Sequence, residues 1–176
     1  MPYAANMSPP RTNTPAYSSP ISNTNLLPPL VRRIRAKILD SARSGDIAAL
    51  IRPIEWNELI PLFDHGAKSP HHMVPGSDPI AFLKSLSFDQ RGDEILALLI
   101  TVFESPFCHM RLGTSLSYVW PAFAFIPDAP EDEEKLRRLR YLRFADLDKL
   151  GADGKPLYYR ANIGADGTWH YFWAGA

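Results

Sequence analysis

The sequence predicts an α+β fold, in which a single, mainly helical domain ends in a C-terminal antiparallel β-hairpin or small sheet. Three observations support this prediction. Apolar residues recur at spacings of three and four between residues 27 and 42, which is the period of one buried helical face. Residues 93–104 are apolar on nearly every side, as in a central buried helix. Residues 157–163 and 168–174 are rich in β-branched and aromatic side chains and flank a Gly-Ala-Asp-Gly turn.

Composition bounds the class of protein. The chain has 176 residues, of which 45% are hydrophobic, and this is enough to bury a core without disulfides or metal. Its 19 basic and 19 acidic side chains cancel, so no overall charge favours a nucleic acid. A single cysteine, Cys108, cannot form an intramolecular disulfide. The longest apolar stretch, residues 95–103, is shorter than the roughly 20 residues of a membrane span. We therefore expect no nucleic-acid partner and no transmembrane segment.

Residues 1–26 are predicted to be a disordered tail. They are rich in Pro, Ser and Asn and carry few large apolar side chains, so burial cannot offset the entropy lost on ordering. The tail has neither the basic nor the apolar region of a signal peptide, which favours a cytoplasmic protein unless the true start lies elsewhere. The globular α+β domain is expected to span residues 27–176.

The first helices are bounded by residues that cap or break them. Gly45 is placed to end the first helix, and Asp46 can cap a second one over 47–52 before Pro53 stops it. A short helical turn is expected around 56–63.

The middle of the chain alternates helices with extended segments. Asp78 and Pro79 suit the start of a helix through residue 86, and Pro106 terminates the helix over 93–104. Residues 107–112 are predicted to be a short strand that supports the hairpin. A charged helix is expected from Pro130, with acidic residues first and basic residues following, and a shorter helix over 146–150.

A loop near the middle of the chain contains candidate metal ligands, namely Asp64, His65, His71 and His72. Carboxylate and imidazole groups suit zinc or another divalent metal. The spacing matches no established site, because adjacent histidines on a regular element point apart. The alternatives are a polar surface loop and a small metal-dependent hydrolase that uses this loop.

No catalytic constellation is complete elsewhere. Cys108 and His109 are neighbours in an extended segment and therefore face opposite ways, and an apolar-flanked cysteine is usually a small buried hydrophobe. No phosphate-binding loop, nucleophile elbow or dinucleotide fingerprint occurs. The sequence implies no cofactor, and we expect a binding protein more than an enzyme.

Aromatic side chains are the remaining signal. Tyr118, Trp120, Trp169 and Tyr171 are dense enough to line a ligand groove, although the same residues could pack a small α+β core. These four residues are the predicted ligand-binding candidates. The predicted function is a non-enzymatic binding or interaction domain, with an unknown protein or small molecule as its partner.

Three stretches, residues 38–50, 118–123 and 166–175, carry a resemblance. Together they resemble a family of uncharacterised alphaproteobacterial proteins, often exported, for which no activity is known. The resemblance implies a location in the periplasm or cell envelope and brings no cofactor or catalytic residue. The family usually has Asp after the last glycine, where this chain has Ala176.

Overall fold

The computed structural model describes residues 14–64, 73–126 and 158–175. These residues form an α+β fold, as predicted. The helices are α1 (Pro29–Arg43), α2 (Ile51–Glu55), α3 (Pro79–Leu86) and α4 (Asp93–Glu104). The strands are β1 (Ala16–Tyr17), β2 (Cys108–Leu112), β3 (Ser115–Trp120), β4 (Tyr158–Gly164) and β5 (Trp169–Gly175). No helix in the described ranges has the length and apolarity to cross a bilayer.

The five strands form one antiparallel sheet in sequence order, β1-β2-β3-β4-β5. The predicted C-terminal hairpin is therefore one part of a larger sheet. Residues directly opposite each other on paired strands share a face, so the register divides the sheet into two faces. The inner face packs on α1 and α4 and includes Tyr118, Trp120, Ala161, Ile163 and Phe172. The outer face carries Cys108, Met110, Ser117, Val119, Arg160, Asn162, Tyr171 and Trp173.

Helix α1 buries the apolar stripe that its sequence predicts. Val31, Ile34 and Ile38 are 0–3% exposed and pack into the main core. Pro29 occupies the first turn, where no backbone N–H is needed. From the flank of the stripe, Arg35 donates two hydrogen bonds of 3.0 and 2.7 Å to the Phe103 carbonyl oxygen. A charged side chain thereby ties α1 to the end of α4.

The predicted helix over 47–52 divides into a 3₁₀ turn, Ile47–Leu50, and helix α2. Asp46 caps the turn as expected, accepting a 2.9 Å hydrogen bond from the Ala48 N–H. Pro53, however, does not stop the helix, because it lies in the first turn of α2, where its missing N–H costs nothing. The helical turn predicted around 56–63 is not formed, because α2 ends at Glu55 and Leu62 instead pairs with Tyr171 at the edge of β5.

The described part of the predicted disordered tail, residues 14–26, includes the first strand of the sheet. Ala16 and Tyr17 form β1, which pairs with β2. The Ser18 N–H donates to the His109 carbonyl at 3.0 Å, and the Ser18 hydroxyl accepts from the His109 N–H at 2.9 Å. The free edge of β2 thus supplies hydrogen-bond partners in place of the apolar burial that this segment lacks.

Helices α3 and α4 begin as their sequences predict. The Asp78 carboxylate accepts a 2.9 Å hydrogen bond from the Ile80 N–H, which caps α3. Gly92 precedes α4 with φ at +98°, a conformation that glycine adopts without strain. After β3, a short 3₁₀ turn over Ala122–Ala124 follows Pro121. The predicted helices over 130–143 and 146–150 lie outside the described residues.

The terminal hairpin has one irregularity that moves a tryptophan to the other face. Gly167 has φ at +87° in the turn, as expected for this position. A regular strand period of two would put Trp169, Tyr171 and Trp173 on one face, but Trp169 departs from it. A shift in register places Trp169 opposite Ile163 and Tyr171 opposite Asn162. The extra residue of this β-bulge turns Trp169 into the core, whereas the other two aromatics stay on the outer face.

Candidate functional site

Three of the four predicted ligand-binding aromatics belong to the core. Trp120 and Trp169 are 0% and 1% exposed, and Tyr118 is 5% exposed. The Trp120 ring lies 5.2 Å from Phe103, measured between ring centroids. The predicted aromatic surface around Trp120 is therefore packed against α4 and presents no ring to a ligand. The reason is the bulk of these rings, which fill the space between the inner face of the sheet and the helices.

Tyr171 has a different position from the other three. It is partly exposed on the outer face and stacks on Trp173, with ring centroids 4.1 Å apart and planes 16° from parallel. Burial raises the pKa of its phenol to about 12, so the hydroxyl remains a hydrogen-bond donor at neutral pH.

The predicted metal loop is described only at its first ligand. Asp64 is 9% exposed, and its carboxylate accepts a hydrogen bond from the Met73 N–H. His65, His71 and His72 lie outside the described residues. Within the ranges that the structure describes, no three His, Cys, Asp or Glu side chains are grouped to hold a metal ion. The metal site stays a prediction, and the Asp64 carboxylate has an observed role in closing the loop onto Met73.

Cys108 lies on the outer face in a small apolar cluster with Val119 and Ala122. It is 0% exposed, and burial raises the pKa of the thiol to about 12. A thiol at neutral pH is a weak nucleophile, since thiolate is the reactive form. His109 projects from the opposite face, where its ring meets the edge of Tyr118 at 5.0 Å. The register therefore separates Cys108 and His109, as the sequence predicted.

A half-exposed aromatic side chain lies in the segment that the sequence predicts only to be a helical turn. Trp56 follows α2 and is 47% exposed. The Arg33 guanidinium lies 4.9 Å from the centroid of its ring, and the Lys37 ammonium lies 5.9 Å from it. The two cations are four residues apart and so occupy the same exposed face of α1. Both distances are in the range of cation–π attraction.

Two shallow grooves adjoin the Trp56 indole. The larger has a volume of about 380 Å³ and contains Lys37, Asp40, Arg52 and Glu55 in its walls. The smaller has a volume of about 280 Å³ and is bounded by Leu30, Arg33, Ile34, Asp166 and Gly167. We call the exposed residues at the centre of this region the Trp56 surface: Leu30, Arg33, Lys37, Arg52 and Trp56. It combines an aromatic centre with three cations, and the adjoining grooves add the carboxylates of Asp40, Glu55 and Asp166.

The backbone beneath the Trp56 surface is firmly held. The Asn57 amide donates to the carbonyl oxygens of Pro53 and Ile54, at 3.0 and 3.2 Å. Its side-chain oxygen accepts a 2.7 Å hydrogen bond from the Trp169 N–H of β5. One asparagine thus joins the end of α2 to the sheet. Trp56 is therefore presented from a fixed position, which reduces the entropy lost on binding.

The cations of the Trp56 surface have no ion-pair partner in the described part of the chain. Two other cations of α1 are engaged, since Arg35 binds the Phe103 carbonyl and Arg43 pairs with Glu104 at 2.5 Å. Among the described residues, Arg33 and Lys37 instead have cation–π contacts with the Trp56 ring and form no ion pair. Their charge is available to a partner.

No protein-family model, curated protein or solved structure matches the chain. The geometry of its own residues is therefore the basis for a functional proposal.

Proposed function

We propose that this protein is a non-enzymatic interaction domain that binds a segment of another protein on the Trp56 surface. The observation that carries the proposal is the half-exposed Trp56 indole, which lies near two cations and lines two grooves. Tryptophan and arginine are the side chains that most often dominate the energy of a protein interface. Here both occur on a rigid surface.

The grooves favour a polypeptide over a membrane. A lipid surface contacts a convex or flat patch, whereas two concavities beside one ring fit individual side chains of an extended segment. Asp40 and Glu55 in the larger groove would repel an anionic membrane. We therefore expect a segment that carries apolar side chains for the grooves and a carboxylate for Arg33 and Lys37.

A binding role also agrees with the state of Cys108. Its protonated, buried thiol cannot attack a substrate, and His109 on the other face cannot serve as its base. The proposal therefore requires contacts and no covalent step.

The experiment is a selection from random peptides displayed on phage, with the full chain immobilised as bait. Enriched peptides are synthesised, and their affinities for wild type and Trp56→Ala are measured by calorimetry. We expect Trp56→Ala to weaken binding by about 30-fold or more, the effect typical of an interface hot spot. The matched control is Phe88→Ala, because Phe88 is 87% exposed, lies in the loop before α4 and lines neither groove.

Two outcomes would contradict the proposal. One is enrichment of peptides that bind Trp56→Ala as tightly as wild type. The other is a chain that enriches no peptide but sediments with vesicles of anionic lipid in a Trp56-dependent manner, which would assign the surface to a membrane.

A further inference from the structure

A second cluster of polar side chains lies on the outer face of the sheet, away from the Trp56 surface. Four residues occupy the corners of a block on β4 and β5: Arg160 is opposite Trp173, and Asn162 is opposite Tyr171. Side chains at such positions are neighbours, about 5 Å apart across the strands. The register alone therefore brings a guanidinium, a carboxamide, a phenol and an indole together.

Arg160 is a partly buried cation that has no counter-ion among the described residues. Its guanidinium carbon lies 5.1 Å from the centroid of the Phe125 ring. Its Nε–H is buried without a hydrogen-bond partner, and none of the ion pairs among the described residues involves it. Arg35 has a similar half-buried setting but donates to a carbonyl oxygen. A buried cation without such compensation is unfavourable, and the uncompensated burial lowers the pKa of Arg160.

Asn162 adds a second unsatisfied group. It is 3% exposed, and its Nδ2 donates a 3.1 Å hydrogen bond to the Ser117 hydroxyl. Its Oδ1 is buried and accepts no hydrogen bond from the described residues, while the Asn162 side chain also bonds the Tyr171 hydroxyl. An acceptor buried in this way costs about 1–3 kcal/mol in a folded protein, so a donor at this point would be favoured.

Two phenols border the same region. Tyr171 lies across from Asn162, and Tyr17 of β1 packs on Phe125, with ring centroids 5.7 Å apart. Burial raises the pKa of both phenols, so both hydroxyls are protonated at neutral pH. The cluster therefore offers one fixed positive charge, several donors and a single free acceptor.

We propose that this polar cluster on the outer face is a binding site for a small oxyanion that also carries a hydroxyl group, such as a hydroxycarboxylate or hydrogen phosphate. The anionic oxygens bind the Arg160 guanidinium, whose planar fork matches a carboxylate or phosphate. The hydroxyl donates to Asn162 Oδ1. The site is independent of the Trp56 surface, because the two share no residue: the site lies on strands β4 and β5, and the Trp56 surface lies on α1 and at the end of α2.

The experiment is titration calorimetry of the full chain with lactate, inorganic phosphate and acetate at constant ionic strength. We expect saturable binding of lactate or phosphate, and weaker binding of acetate, which lacks the hydroxyl. A response to phosphate alone would identify a phosphate site, and a response to lactate alone would identify a hydroxycarboxylate site. Arg160→Met should weaken binding by about 10- to 100-fold, the value of a charge-assisted hydrogen bond.

A second variant keeps the test decisive if Arg160→Met fails to fold. Asn162→Asp places a carboxylate beside Arg160 with almost no change in shape. We expect it to abolish oxyanion binding and to raise the melting temperature, because the new charge compensates Arg160 internally. Arg32→Met removes an exposed cation of α1 and serves as the control for net charge, with unchanged binding expected.

The absence of saturable binding by lactate and phosphate to the wild type would overturn the proposal. So would Arg160→Met or Asn162→Asp variants that bind as tightly as wild type. Equal affinities for lactate and acetate would overturn the role assigned to Asn162.

Discussion

Trp120 is the residue whose replacement best separates core packing from ligand binding. It was a predicted ligand-binding candidate, yet its side chain is fully buried and its ring lies 5.2 Å from Phe103 and 5.5 Å from Phe107. Trp120→Ala would remove the largest single aromatic between the sheet and α4. The expected effect is therefore a loss of stability and not a selective loss of binding.

The magnitude follows from the burial. Replacing a buried Trp or Phe with Ala costs about 3–5 kcal/mol, from lost transfer energy and the cavity that remains. Within the described residues, the Trp120 Nε1–H is buried without a partner, so its removal recovers part of that cost. We expect a net loss of about 3 kcal/mol, a large part of the 5–15 kcal/mol that stabilises a typical domain. Trp120→Phe keeps most of the ring and removes the unpaired N–H, so it should cost about 1 kcal/mol.

The assay is urea unfolding followed by circular dichroism, with the slope of the transition fitted for each variant. At an ordinary slope, a loss of about 3 kcal/mol moves the midpoint down by roughly 1–3 M. Trp120→Phe is the matched control, since it tests the ring volume against the indole N–H. An unchanged midpoint for Trp120→Ala would refute the placement of Trp120 in the core.

Three further predictions follow from individual groups. The pKa of Cys108 is raised from 9.0 to about 12, so stability should be full below pH 9 and fall as the pH rises towards 12, with a shallower fall in Cys108→Ala. The pKa of Asp89 is lowered from 3.8 to about 2, chiefly by the Ser87 hydroxyl, so its contribution should be present above pH 3.8 and lost as the pH falls towards 2. Asp89→Asn should lower the melting temperature at neutral pH and flatten the acid dependence. Gly92→Ala should cost about 1–3 kcal/mol in urea unfolding, because φ is +98° and the new Cβ would lie 2.2 Å from an Ile47 carbon.

Each of these predictions has its own contradiction. If stability falls with rising pH in Cys108→Ala just as it does in wild type, the thiol is not the cause of that fall. If wild type and Asp89→Asn give identical acid unfolding curves, the Asp89 carboxylate does not contribute to the acid dependence of stability. Gly76→Ala is the control for Gly92→Ala, because Gly76 also has a positive φ but nothing lies within 4 Å of its Cβ position. Equal costs at the two glycines would mean that the contact with Ile47 contributes nothing.

Much of the local structure could be predicted from the sequence because its causes are local. The stripe of α1 needs only the helical period, and the caps at Asp46 and Asp78 need only a side-chain oxygen next to the first turn. The terminal hairpin likewise follows from a glycine turn between two β-rich runs. Each of these interactions joins residues a few positions apart.

The functional surfaces could not be predicted in the same way. Trp56 and Trp120 have the same type of side chain. Only the packing of distant elements leaves Trp56 47% exposed and Trp120 fully buried. No local pattern distinguishes them. The four predicted ligand-binding residues lie in stretches rich in aromatic side chains. For three of the four, such a stretch belongs to the buried core.

Sequence by itself determined helices α1, α3 and α4, the caps at Asp46 and Asp78 and the existence of the hairpin, because short-range geometry and side-chain chemistry are sufficient for them. Tertiary structure alone decided which residues share a face. A single extra residue in the hairpin turned Trp169 inward, and pairing with β2 ordered a segment too polar to bury itself. It also decided that Arg160 lies opposite Trp173 and Asn162 opposite Tyr171, because the strand register, and not the spacing along the chain, sets the neighbours of a side chain across the strands.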